Sequence, residues 1–139
     1  MSDLPYSEIK VGDEASFAKT ITEADIVQYA GITGDFNPIH IDAEYAKRSA
    51  FGERVAHGML VSGLISTVLG TRLPGPDSIY LEQELKFRAP VKIGDTITAV
   101  VTVTEKHDQK QLMTLKTTVS NQRGRVVVDG SAVVKKVGQ

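Results

Sequence analysis

The sequence predicts an α+β domain in which an antiparallel sheet of about five strands wraps on one central apolar helix. Three observations point to it. The second half of the chain runs as four β-rich segments separated by short turn signals, and strands joined in that way pair antiparallel. A further apolar-polar segment stands near the N-terminus, at 14–20. Between them lies AHGMLVSGLISTVLG, 56–70, too long for an ordinary strand yet short of the roughly twenty residues a membrane crossing requires, so it reads as a buried helix.

The elements follow in order. After the strand at 14–20, TEAD places Thr22 as an N-cap with Asp25 three residues on, a capping-box pattern. The helix it opens carries Ile26, Tyr29 and Ala30 on one apolar face and is expected to stop at Gly31. A polar loop, GDFNPIHID at 34–42, comes next. Asp42 can cap a second, short helix running to about 50, with Glu44 in its first turn and Lys47 and Arg48 in its last. The apolar helix is placed at 58–69, its glycines allowing close approach to a sheet, and LPGPD ends it. From Ile79 the period becomes two: Ile79, Leu81, Leu85, Phe87 and Ala89 alternate with polar residues, interrupted only by Gln83, which predicts a half-buried strand. Three more strands are expected at 96–105, 112–120 and 125–135, with Gly130 suggesting a bulge or bend.

Length and composition bound the function. The 139 residues fit a single domain over 1–139, with no internal repeat or long linker. Sixteen Lys and Arg against seventeen Asp and Glu give a net charge of -1, which argues against nucleic acid or an anionic membrane as partner. The chain has no cysteine, so disulfides, thiolate nucleophiles and Cys-ligated metals are excluded together, and a cytoplasmic setting is expected. MSDLPYSEIK has neither the basic start nor the apolar core of a secretory signal. A small sheet on one helix leaves an edge strand, and pairing that edge across a two-fold axis would give a homodimer.

Asp35 and His40 stand five residues apart, with the Asn37-Pro38 step stiffening the chain between them. Such a pair can hold one water and move its proton near neutral pH. By themselves, an Asp and a His in a loop more often satisfy backbone groups or cap a helix, and the residues alone leave both readings open. In HGML, 57–60, Gly58 opens the apolar helix, whose unpaired N–H groups suit a developing oxyanion, although most glycines so placed merely start a helix. Ser62 and Ser66 lie one turn apart on that helix outside any GxSxG elbow, and a helical serine more often bonds back to the preceding turn. His40, His57 and His107 lack a recognisable ligand spacing, so no metal is expected.

GDFNPIHID, then HGMLVSGLISTVLG, then LPGPDSIYLEQELKFRAPVKIGDTITAVVTV resemble, in that order and over nearly the whole chain, the MaoC-like family of hot-dog-fold hydratases, especially the short (R)-specific enoyl-CoA hydratases. The family's loop motif, approximately GDxNPxHxD, is met at Gly34, Asp35, Asn37, Pro38, His40 and Asp42. The resemblance implies a hot-dog domain in which Asp35 and His40 are the catalytic pair, the Gly58 N–H binds the thioester carbonyl and Ser66 supports the site. Asn37 is assigned to shaping the loop or bonding within the site. The implied reaction is reversible hydration of a trans-2-enoyl-CoA to an (R)-3-hydroxyacyl-CoA, without cofactor because CoA is part of the substrate. The acyl chain is expected along the apolar helix, bounded by Ser66 and Leu69, three residues apart. The competing readings are a hot-dog thioesterase, whose water attacks C1, a non-catalytic acyl-CoA-binding subunit, and a dehydratase acting on acyl carrier protein. The chemistry suits fatty-acid metabolism or supply of polyhydroxyalkanoate precursors alike.

Overall fold

The computed structural model describes residues 3–138, so residues 1, 2 and 139 of the expected 1–139 domain lie outside the described residues. Five strands, β1 (Glu14–Thr20), β2 (Ser78–Phe87), β3 (Thr96–His107), β4 (Leu112–Ser120) and β5 (Val126–Lys136), form one antiparallel sheet in the order β1-β3-β4-β5-β2. The helices are α1 (Glu23–Thr33), α2 (Pro38–Ile41), α3 (Ala43–Lys47) and α4 (Gly58–Thr71). α4 packs against all five strands. Its Val61, Leu64, Ile65, Val68 and Leu69 meet Ile97, Ala99, Val101 and Val103 of β3 and Met113 and Leu115 of β4 in a single core. Alternation along β3 as far as Val103, and along the whole of β4, places every second side chain on that face, as a half-buried strand requires.

The capping box forms as its residues specify: the Asp25 N–H donates to Thr22 Oγ1 at 3.2 Å and the Thr22 N–H to Asp25 Oδ2 at 2.9 Å. α1 does not stop at Gly31. It continues to Thr33, and Gly34, at φ 83°, is the left-handed cap, its N–H donating to the Ala30 carbonyl. A glycine is tolerated inside a helix, whereas a left-handed cap favours one at the position where the chain reverses the sign of φ. The glycines of α4 also differ from expectation. Gly63 and Gly70 face open space, and only Gly58 sits tight, where an added Cβ would lie 2.8 Å from the Phe87 ring.

β2 is not half-buried. It is an edge strand bonded only to β5, with a register shift between Tyr80 and Glu82, and Ile79, Leu81 and Phe87 remain 46%, 50% and 55% exposed. α4 lies mainly over the sheet's interior and leaves this apolar strand uncovered within the chain. Gln83, the residue that broke its alternation, bonds the buried Thr117 hydroxyl at 3.0 Å. Gly130 makes no bulge; it stays in register with Leu85 and Thr117, and a Cβ there would overlap the Glu84 carbonyl oxygen.

Two carboxylates give the fold an acid limit. Burial pushes Asp25 up, but Lys19 at 2.8 Å and the Thr22 groups outweigh it and hold the carboxyl below its ordinary value. Asp95 is likewise raised by burial and lowered, with the larger net effect, by the Lys92 N–H, the Gln122 side chain and the charges of Arg123 and Lys92. Folded-state values below the unfolded value of about 3.9 mean that this stabilisation is complete above that pH and is lost as pH falls through the folded values. Urea midpoints measured across that range should fall with acidification in the parent and fall less steeply in an Asp25→Asn/Asp95→Asn variant. Equal slopes would remove these two groups from the account.

Candidate active site

The segment 34–42 folds itself through its own polar side chains. Asp35 Oδ1 accepts the Asn37 N–H at 3.2 Å, Asn37 Oδ1 accepts the Ile39 N–H at 3.2 Å, and Asp42 Oδ1 accepts the N–H groups of Glu44 and Tyr45. Asn37 is thereby the N-cap of α2, with Pro38 as its first residue, where the missing N–H costs nothing. What reads as a loop is therefore partly a one-turn helix, and His40 stands on it at a defined orientation.

The connector before α4 runs beside this turn and holds it. The Val55 carbonyl accepts from His40 Nδ1 at 2.7 Å, which places the ring proton on Nδ1 and leaves Nε2 with its lone pair. Arg54 Nε donates to the His40 carbonyl at 2.7 Å, while its Nη1 pairs with Glu23 at 2.6 Å. His57 reaches back to donate Nε2–H to the Asp35 carbonyl at 2.9 Å. The His57 ring stacks on His40, centroids 3.8 Å apart and planes at 27°, and tilts against Tyr29 at 4.7 Å.

Asp35, Asn37, His40, His57 and Gly58 line one side of a cleft of about 600 Å³ whose other wall includes Phe87 and Val91. That size is ordinary for a small-molecule site. Asp35 is exposed and His40 half-buried. Asp35 Oδ2 has no hydrogen-bond partner among the described residues, so both it and His40 Nε2 are available to a water. Gly58 is the first residue of the fourteen-residue α4, and the helix dipole adds positive potential at its N–H. The cleft thus unites an acceptor pair able to move a proton with a donor end able to receive negative charge.

Donor atoms of Asp35, His40 and His57 also lie within 4.8 Å of one another, a closeness that sequence spacing had not suggested. Imidazole lone pairs lie in the ring plane, however, so two rings stacked at 27° direct them side by side and not to one tetrahedral centre. One nitrogen of each ring is already bonded to a carbonyl.

Residues 8–124 match the family model described as MaoC like domain. The chain belongs to the MaoC-like family. It is 53% identical to the (R)-specific enoyl-CoA hydratase of Rhodospirillum rubrum, over 93% of this chain and 89% of that one. It is 46% identical to the 3-hydroxybutyryl-CoA dehydratase of Methylorubrum extorquens, over 95% of this chain and 83% of that protein. The solved structure of an R-hydratase from Pseudomonas aeruginosa, in its unliganded form, superposes with a TM-score of 0.93 at 44% identity, covering 99% of this chain and 88% of that one. The helix-wrapped sheet is the hot-dog fold.

Within this MaoC-like chain the structure brings Asp35, Asn37, His40 and Gly58 to one cleft. It does not bring Ser66 or Leu69 there. Ser66 is exposed and lines a separate groove of about 350 Å³ between α4 and β2, with Met59, Tyr80 and Leu81. Leu69 is 2% exposed and belongs to the core, because its position on α4 faces the sheet. Ser62 is the buried serine, and it bonds back to the Gly58 carbonyl at 2.9 Å. His57 makes no capping bond with its side chain and joins the site instead. Its only signal in the sequence is its place directly before Gly58.

Proposed function

We propose that this chain is a hydro-lyase that reversibly hydrates a trans-2-enoyl-CoA to the (R)-3-hydroxyacyl-CoA, with no separate cofactor. The observation that carries the reading is the convergence of Asp35, His40 and the Gly58 N–H on one cleft. A water held by Asp35 Oδ2 and His40 Nε2 adds its oxygen to C3 as His40 takes its proton. The electron pair of the double bond moves toward the thioester oxygen, where the Gly58 N–H and the α4 dipole receive the charge, a donor worth about 3 kcal/mol in such a role. The imidazolium of His40 then returns that proton to C2 of the enolate, so that one water is added, its hydrogens ending on the C3 hydroxyl and on C2, and His40 and Asp35 regain their starting protonation states. Asn37 acts by capping α2 and so orienting His40.

A ladder of trans-2-enoyl-CoA substrates tests this, with enoyl absorbance, free CoA and product chirality followed in the same reaction. The expected result is loss of the enoyl band, an (R)-3-hydroxyacyl-CoA product and no released CoA. An (S) product, or release of CoA, overturns it in favour of another enzyme class.

The uncovered apolar edge of β2 supports a homodimer formed on that strand, which would also cover the groove holding Ser66. Sedimentation equilibrium is expected to give twice the chain mass of 15.0 kDa. Lack of cysteine supports a cytoplasmic setting, and no helix among the described residues is long and apolar enough to cross a membrane. An acyl tail longer than the cleft would continue past Met59, which lines both spaces, into the groove holding Ser66.

A further inference from the structure

We infer that His57 is a positioning residue that sets the spacing between the two halves of the site, an inference that rests on the hydration reading above. His57 is 2% exposed, and its main chain and side chain are committed in opposite directions. Its carbonyl accepts the N–H groups of Leu60 and Val61 at 3.1 and 3.2 Å, so its backbone is part of the first turn of α4, adjacent to the Gly58 N–H. Its ring donates Nε2–H to the carbonyl of Asp35, 22 residues earlier, and lies flat against the His40 ring. One residue therefore connects the oxyanion donor, the carboxylate's own peptide unit and the plane of the base.

The cost of this arrangement is visible in two places. The residue before a helix of this length is a position where Ser, Thr, Asn or Asp would satisfy a free N–H, yet the His57 side chain makes no capping bond. Its Nδ1 is buried with no hydrogen-bond partner among the described residues. A buried polar atom without a partner is uncommon and destabilising. A residue chosen for the helix or the core alone would not carry both features; a residue chosen to hold Asp35 and His40 against Gly58 does. Because misplacement of reacting groups by about 1 Å can cost on the order of 100-fold in rate, the effect belongs in kcat and not in substrate affinity.

The test uses the whole protein and two variants. The Asn side chain of His57→Asn is too short to reach the Asp35 carbonyl but can cap α4, whereas that of His57→Gln can place an amide N–H near the position of Nε2. We expect His57→Asn to melt within a few degrees of the parent while kcat falls about 100-fold and KM stays within about threefold. His57→Gln should recover at least about tenfold of that loss and keep the parent's pH profile. Nitrogen-15 NMR of the His40 ring provides a readout independent of any substrate: its Nδ1 and Nε2 signals should move in His57→Asn and return in His57→Gln. Parent-like kcat in His57→Asn, or equal impairment of both variants with the His40 signals unmoved, overturns the inference. If the parent itself fails to hydrate enoyl-CoA, the functional reading falls, while the NMR comparison still decides whether His57 positions His40.

Discussion

His40→Gln and Asp35→Asn are each expected to lower kcat by about 10²- to 10⁴-fold, the range that general acid–base groups supply, while KM changes much less. The structure explains why folding should survive. An Asn at position 35 keeps an Oδ1 able to accept the Asn37 N–H, so the local turn is retained, and only the charge that orients the water is lost. A Gln at position 40 can still donate to the Val55 carbonyl, but its other terminus is an amide oxygen of negligible basicity where His40 presents the Nε2 lone pair. Because both residues act on one water, the double variant should be scarcely worse than the poorer single one. Steady-state kinetics on purified variants with parent-like melting curves is the measurement. If both single variants keep kcat within about tenfold of the parent, general acid–base catalysis by this pair is removed.

The second large effect concerns stability. Lys136 ends β5 with 1% of its surface exposed, and its Nζ donates to Asp3 Oδ1 at 2.6 Å, to the Pro74 carbonyl at 3.1 Å and to the Pro76 carbonyl. One ammonium thus ties the chain's first described residue and the turn after α4 to the last strand. Lys136→Ala deletes all three bonds, leaves the Pro74 and Pro76 carbonyls without this donor and opens space for the lost side chain. The expected destabilisation is about 2–4 kcal/mol, discounted because Asp3 is half-exposed and can be solvated again. Lys136→Met should lose less, since it restores packing though not the hydrogen bonds. Urea unfolding should show a lowered midpoint at unchanged slope. A change under about 0.5 kcal/mol would mean that the buried ion pair offsets only its own desolvation.

These residues also show where sequence reading reached and where it stopped. The strand at 14–20 and the Thr22–Asp25 box were legible because alternation and capping are written into adjacent positions. The end of α1 was misplaced at Gly31 because two glycines were available and only the reversal of the chain at Gly34 selects between them. β2 carried a genuine period-two pattern, yet periodicity states which side chains share a face and not whether anything covers it. Leu69 and Ser66, three residues apart on α4, were grouped by helical spacing, while the sheet separates them into core and surface groove.

The sequence by itself determined the turn at 34–42 and the helix start at Gly58. Asp35, Asn37, Pro38 and Asp42 act on backbone groups two or three positions away, so nine consecutive residues suffice to build the turn that carries His40, and Gly58 marks a helix start wherever that helix packs. Only the tertiary structure decided that His57 grips Asp35, that Lys136 is buried and that β2 is left open. Those outcomes depend on contacts between residues 22 and 133 positions apart, or on the lack of a covering surface, and local pattern carries no record of which distant surface arrives.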